Sequence, residues 1–252
     1  MCLISFAYRK HPQYQLILVS NRDEFYQRPT APAHWWNDEP SILAGRDLKG
    51  NGTWMGFRKN GRFAALTNYR DGFNEQKDAP SRGHLVPSFL LSQNSSLEYL
   101  QQLNLTADTY NGYNLLTFDG ENLGYYSNQL KQTQLLDSGI YGLSNSTLNM
   151  QWPKVAKATA GLEALLQQDN FNINDAFQIM QDKTTAPDKA LPNTNIPLKW
   201  ERLLSAMFIE SPDYGTRCST VFLLDYDGNY HFQEKSYVPA HEIVYHGKVE
   251  QN

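Results

Sequence analysis

Short runs of aliphatic and aromatic residues open the chain. Residues 2–8 and 14–20 are rich in β-branched, aromatic and aliphatic side chains, with a polar turn at His11-Pro12 between them. That pattern predicts two paired strands. A second pair, residues 53–58 and 62–68, flanks Lys59-Asn60-Gly61, and Asn-Gly between apolar runs is a strong tight-turn signal. The stretch between the pairs carries Pro29, Pro32 and Pro40 together with Trp35-Trp36 and reads as a loop.

The pattern then turns helical. Residues 83–92 read as a short helix broken or started by Pro87, and Ser95-Ser96-Leu97-Glu98 has the form of a capping box opening a helix through Leu103. Strands return at 113–118 and 123–127, joined across Asp119-Gly120, and again near 140–144. Trp152-Pro153 starts the clearest helix, because proline suits the first helical position. Val155, Leu162, Leu165 and Leu166 give it an apolar stripe through about Gln168. Further helices are expected over 174–183 and 198–207. Residues 219–224 and 230–234, flanking Asp227-Gly228, close the chain as another hairpin. Strands first, helices between and strands last predict a layered α+β fold, taken as one domain over 1–252.

Composition narrows the function. Forty per cent hydrophobic and 19 per cent charged residues exclude a disordered chain or a fibre. Acidic residues outnumber basic ones 26 to 22, and no Lys/Arg cluster supplies an electrostatic footprint for nucleic acid. Apolar stretches such as 16–19 and 221–224 are too short to span a bilayer. Residues 3–8 are shorter than a signal-peptide core and lack its positive lead-in. Two cysteines, Cys2 and Cys218, make no disulfide framework and have no metal-ligand spacing, so a reduced, cytoplasmic setting is expected. The six histidines include no HExxH; His241 and His246 are five apart, off a shared helical face. Residues 45–52 lack the Lys-Ser/Thr ending of a phosphate loop. No metal and no cofactor is expected.

Cys2 is the residue of interest. Removal of Met1 before this small residue would leave a thiol and a free α-amine on adjacent atoms. Their reference pKa values, roughly 8.5 and 7.7–8.0, let the amine accept the thiol proton near neutrality. That is a nucleophile and its base in one residue. Position alone favours the plainer reading, a small apolar residue in an edge strand. The first hairpin changes the balance. With its turn centred between His11 and Pro12, Cys2 lies opposite Asn21, beside Arg22 and Asp23. A cation near the thiol favours thiolate, and a carboxylate can orient the amine. Asn68 and Asn145, each at a strand end, are candidate oxyanion donors, although each alone is also a favoured turn residue. Trp35, Trp36, Trp54, Phe57 and Tyr69 could line an apolar ligand pocket; aromatics at strand positions are more often core.

Met1-Cys2, Asn21-Arg22-Asp23-Glu24, Ala44-Gly45-Arg46, Gly52-Thr53-Trp54, Leu66-Thr67-Asn68-Tyr69-Arg70 and Ser81-Arg82-Gly83 occur in that order. Gly142-Leu143-Ser144-Asn145, Trp152-Pro153-Lys154 and Tyr214-Gly215-Thr216-Arg217 follow. Together they resemble the NRDE family, also called the transport and Golgi organisation protein 2 family, from residue 1 to about 235. The resemblance implies an Ntn-hydrolase-like four-layer αββα sandwich. A more distant similarity, to choloylglycine hydrolases and penicillin V acylases, implies roles. Cys2 would be the nucleophile, Arg22 and Asp23 would orient thiol and amine, Asn68 and Asn145 would form the oxyanion hole, and Arg217 would be the later arginine near the nucleophile. Those amidases separate the early arginine and aspartate by two residues, whereas Arg22 and Asp23 are adjacent. Neighbours on a strand point to opposite faces, which offers Glu24 as the substitute on the Arg22 side.

Two functions follow from the resemblance. One is an Ntn cysteine hydrolase cleaving a linear amide C–N bond in a small or acylated substrate. The alternative is a non-catalytic protein that binds haem, acyl-CoA or another lipid on the same scaffold, with Cys2 and His34 as conceivable haem ligands.

Overall fold

A computed structural model describes residues 2–74, 76–168 and 170–250. In chain order its strands are β1 (Cys2–Tyr8), β2 (Tyr14–Phe25), β3 (Thr30–Trp35), β4 (Ile42–Asp47), β5 (Met55–Arg58) and β6 (Phe63–Asn68). These are followed by β7 (Tyr113–Phe118), β8 (Leu123–Ser127), β9 (Gln132–Leu135), β10 (Gly139–Leu143), β11 (Tyr214–Asp225), β12 (Asn229–Tyr237) and β13 (Ala240–Lys248). The helices are α1 (Leu85–Leu91), α2 (Ser96–Gln102), α3 (Pro153–Leu166), α4 (Ile173–Ile179) and α5 (Leu198–Leu203).

The chain divides into two compact units, each gathered from separated segments. The first takes residues up to Gln27, Arg70–Phe73 and Ser138–Gly247. Its sheet has the order β10-β1-β2-β11-β12-β13. Side chains alternate between the faces of a strand, and here the two faces differ in kind. Leu3, Ala7, Ile17, Val19, Val221 and Leu223 share one face and pack on Val155, Ala158 and Leu162 of α3 and Phe177 of α4. Cys2, Ile4 and Phe6, with their partners Arg22, Ser20 and Leu18, lie on the opposite face.

The second unit takes Arg28–Tyr69, residues 74–137 and those after Gly247. Its seven strands pair in the order β3-β4-β5-β6-β7-β8-β9, each antiparallel to the next. Ile42, Ala44, Ala64, Leu66, Leu115 and Tyr126 bury one sheet face against Val86, Phe89 and Leu90 of α1 and Tyr99 and Leu100 of α2. Each fully buried Val, Leu, Ile or Phe among them contributes about 1.5–3 kcal/mol. With a sheet and a helical layer in each unit, the fold class is α+β, as the element pattern predicts.

Local signals translate into the expected elements. Ser95 Oγ accepts from the Glu98 backbone N–H and Glu98 Oε2 accepts from the Ser95 N–H at 2.9 Å, closing a capping box on α2. Pro153 is the first residue of α3. Pro87 is the third residue of α1, where the backbone N–H has no helical partner to lose. Four strands depart from expectation. β3 and β4 both occupy the stretch read as a loop; β3 is an edge strand, with a bulge between Ala31 and His34, the setting that tolerates Pro32. β9 and β13 are sheet edges with largely exposed side chains and show little apolar patterning. α4 and α5 end at Ile179 and Leu203, short of the expected 183 and 207. Among the described residues no helix is long and apolar enough to cross a membrane.

Candidate active site

Cys2 begins β1 and pairs with Arg22, while Leu3 pairs with Asn21. This corrects the expected register by one residue. The loop between the paired Arg9 and Gln15 holds five residues and centres on Pro12, an odd count that shifts every partner by one. His11 Nδ1 shapes that loop by accepting from the Gln13 and Tyr14 N–H groups. The shift matters because it exchanges faces. Asn21 points to the helical side, where its Nδ2 donates to the Met180 and Met207 carbonyls, both at 2.8 Å, and its Oδ1 accepts from Ser219 Oγ. Arg22 points to the Cys2 side.

On its other flank Arg22 pairs with Cys218 of β11. One strand thus separates the two cysteines, both of which are free and buried. Two strand spacings amount to roughly 10 Å, beyond the Cα separation a disulfide can bridge. Burial pushes the Cys2 thiol up from its ordinary value; Asp23 and Glu24 add to that and Arg22 opposes it. The resting thiol is therefore protonated at neutrality and needs a base to become a nucleophile. Met1, whose removal the α-amine requires, lies outside the described residues.

Asp23 turns to the opposite face from Arg22, because β2 continues to Phe25. Its Oδ1 accepts from Thr216 Oγ1 at 2.8 Å, and that hydroxyl in turn accepts from the Ile209 N–H at 2.9 Å. Burial pushes the Asp23 carboxyl up, and the strongest side-chain influence holding it down is Lys154, ahead of Thr216 and Arg22.

Asn145 lies two residues beyond Leu143, which pairs with Ile4, so the chain brings it level with Cys2. Ser144 fixes this junction by donating from Oγ to the Cys2 carbonyl at 3.0 Å. The Asn145 carbonyl accepts the Arg70 N–H at 2.8 Å. Asn68 has a different address: it ends β6 in the second unit, paired with Tyr113 and half-buried. Arg217 is the extra residue of a bulge between Thr216 and Cys218. Its guanidinium donates to the Phe25, Tyr26 and Val238 carbonyls, a clamp on strand ends. Among the aromatics considered for a pocket, Trp36 and Phe57 are buried in the second unit. His34 sits in β3 with Nδ1 at 2.8 Å from the Pro32 carbonyl.

Sequence reasoning missed four buried polar residues of the first unit. Arg70 Nη2 lies 3.1 Å from Glu201 Oε2, and its guanidinium sits 4.5 Å over the Trp152 ring. Its Nε and Nη1 have no hydrogen-bond partner among the described residues. Tyr214 OH is likewise buried without one, and burial pushes it well up. Lys154, second residue of α3, is 2 % exposed, and its ammonium has no hydrogen bond among the described residues. Burial lowers it to about 8; Asp23, Cys2 and Glu201 oppose that shift and Arg70 adds to it. Lys154 and Arg70 both stand in the motif runs, yet a lysine in a helix's first turn ordinarily reads as solvated.

The sequence model of Transport and Golgi organisation 2 matches residues 1–239. The chain belongs to that family. Transport and Golgi organisation protein 2 homologues from Bos taurus and Homo sapiens are each 35% identical to it, covering 94% of this chain and 93% of theirs. The Drosophila melanogaster protein of the family is 29% identical, covering 94% and 92%. Among solved structures, a Caenorhabditis elegans N-acylethanolamine-hydrolyzing acid amidase ortholog superposes with a TM-score of 0.51 at 12% identity, over 88% of this chain and 92% of that one. This family member therefore has the Ntn-hydrolase fold.

Proposed function

We propose that this Transport and Golgi organisation 2 family member is an Ntn cysteine hydrolase of linear amides. The observation that carries the reading is the cross-strand pair of Cys2 with Arg22, with Asn145 brought level with Cys2 by the β10–β1 pairing. With Met1 removed, the Cys2 amine takes the thiol proton. The sulfur attacks the substrate carbonyl, and the Asn145 side chain donates to the resulting oxyanion. The C–N bond then breaks as the α-ammonium returns its proton to the leaving amine. Water attacks the thioester, releases the acid and restores the thiol. Arg22 favours the thiolate by its charge, and Asp23 holds the ammonium. The substrate is a small or acylated amide, and the shared fold with an N-acylethanolamine-hydrolyzing amidase supports that class.

The test uses the full chain, with its terminus defined by intact mass, and a panel of N-acyl chromogenic amides. The expected result is turnover with a transient acyl adduct on the Cys2 peptide, both abolished in Cys2→Ala. Retention of the wild-type rate by Cys2→Ala, or a mature protein that keeps Met1, would overturn the reading.

A further inference from the structure

Each sheet has two edges, and an edge strand presents backbone N–H and C=O groups that a further strand can take up. In the second unit the edges are β3, which carries Pro32 and a bulge, and β9, which is four residues long. In the first unit they are β10, five residues long, and β13, nine residues long. Prolines, lysines, bulges and shortness are the devices that keep an edge from pairing. β13 has no proline, and no lysine or arginine before its last residue, Lys248. β12 flanks one side of it, and among the described residues no strand flanks the other. His241, Glu242, Val244, His246 and Gly247 are exposed along it, Val244 at 46 %.

We propose that β13 is a dimerisation strand, which pairs antiparallel with β13 of a second copy about a two-fold axis through Val244 and joins the two six-stranded sheets into one. Val244 is the central residue of Ala240–Lys248, so this axis pairs all nine residues and any other leaves some unpaired. The resulting partners are complementary. Ile243 meets Tyr245 on one face of the sheet, an aliphatic against an aromatic side chain, which is a favourable cross-strand pair. Glu242 meets His246 on the other face, a carboxylate opposite an imidazole. Both pairs occur twice by symmetry, and no like charges are brought opposite each other. Glu242 is already held in place on its own strand pair: Oε1 accepts from Gln233 Nε2 at 2.6 Å and lies 3.6 Å from Lys235 Nζ. Its Oε2 is left to accept from the incoming imidazole. One strand pair makes a small interface, so the dimer is weak and concentration-dependent.

The test uses the full chain. Sedimentation equilibrium from roughly 5 to 500 μM, a range that brackets weak interfaces, is expected to show the mass rising from one chain toward two. Val244→Lys sets two ammonium groups face to face across the axis and should stay monomeric at about tenfold higher concentration, with the far-UV circular dichroism of wild type. Cross-linking then reads the register. Directly opposite residues of an antiparallel pair lie within disulfide reach, so Val244→Cys should oxidise to a covalent dimer, mapped by peptide mass to position 244. The native Cys2 and Cys218 are buried and serve as the internal background. Glu242→Cys and His246→Cys each place their thiols about 13 Å apart along the strands and should not cross-link alone, but should do so when mixed. A wild type that stays monomeric throughout overturns the proposal and leaves the edge to an extended segment of another protein. A dimer that Val244→Lys leaves intact, or a disulfide formed by Glu242→Cys alone, overturns it equally.

Discussion

The two units bury polar side chains in opposite styles. In the second, the interior polar groups are mostly neutral; some hydrogen-bond one another, while Tyr113 OH, Thr117 Oγ1, Tyr126 OH and Ser127 Oγ have no hydrogen-bond partner among the described residues. Asn114 Nδ2 donates to Thr67 Oγ1, the Tyr125 hydroxyl donates to Asn114 Oδ1, and Asn128 Nδ2 donates to the Ala107 carbonyl. Even its buried cation is largely occupied: Arg62 Nη2 donates to the Asn94 and Phe89 carbonyls and the guanidinium lies 4.1 Å over the Phe89 ring. In the first unit the interior carries the charged residues Arg22, Asp23, Arg70, Lys154 and Glu201, and Lys154 and Arg70 keep donors without partners among the described residues. Neutral groups cost less to bury than charges, and buried charges held at a cost point to a site under functional constraint. On the reading proposed above, the contrast puts the chemistry in the first unit.

The sharpest way to break that contrast is at Asn145. Truncating an oxyanion donor costs about 10²–10³ in kcat. Asn145→Ala is expected to lose that much amide turnover while its far-UV circular dichroism stays that of wild type. A loss smaller than tenfold would move the oxyanion site elsewhere.

Next in size is the pH dependence of stability. Lys154 titrates at about 8 in the folded chain and near 10.5 when free. Between those values the unfolded chain binds the proton and the folded chain does not, so this residue makes stability rise with pH across the window. The full rise amounts to roughly 3 kcal/mol. Denaturant melts from pH 7 to 10.5 should show Lys154→Met losing that much ground against wild type as pH increases. Parallel curves would place the ammonium in water.

How much of this was legible beforehand follows from how local each feature is. The Asn60-Gly61 hairpin, the capping box and the Pro153 helix start are written in adjacent residues and form as read. The register of β1 on β2 depends on whether the loop holds four residues or five, which His11-Pro12 alone does not say. The five-residue loop moved Arg22 to face Cys2. β3 was hidden by Pro32, since an edge bulge that excuses a proline exists only once its neighbours are placed. Cys2, Arg22, Asp23 and Asn145 were nameable because a thiol, a charge pair and an amide carry recognisable chemistry. Lys154 was not, because only the packing of α3 on the sheet removes it from water. Some of the ordered motifs are plainly structural: Gly52 lies where a side chain would strike the Gly83 backbone, and the Thr53 N–H bonds the Gly83 carbonyl at 3.0 Å.

A smaller effect is expected in the neutral network. Asn114→Val leaves the Thr67 and Tyr125 hydroxyls without the amide each uses. One stranded buried polar group costs about 1–3 kcal/mol, and the urea midpoint should fall accordingly. Cys2 alkylation, measured on the same samples, should keep its wild-type rate and pH midpoint. A shifted midpoint would mean that the second unit's polar interior also tunes the thiol, and the contrast between the units would fail.

The smallest effect tests a surface feature against both interiors. Ser95 caps α2 through its hydroxyl, and Glu98 returns the bond to the Ser95 N–H. Ser95→Ala removes one half of this reciprocal pair, at a cost of about 1 kcal/mol. For a chain of this size that lowers Tm by roughly 2–4 °C. Because the hydroxyl is partly exposed, water recovers some of what the helix loses, whereas neither Asn114 nor Lys154 has that recourse. Ser95→Ala should therefore rank below both in differential scanning calorimetry. A loss equal to that of Asn114→Val would show that α2 is held by its cap rather than by Tyr99 and Leu100 in the core beneath it.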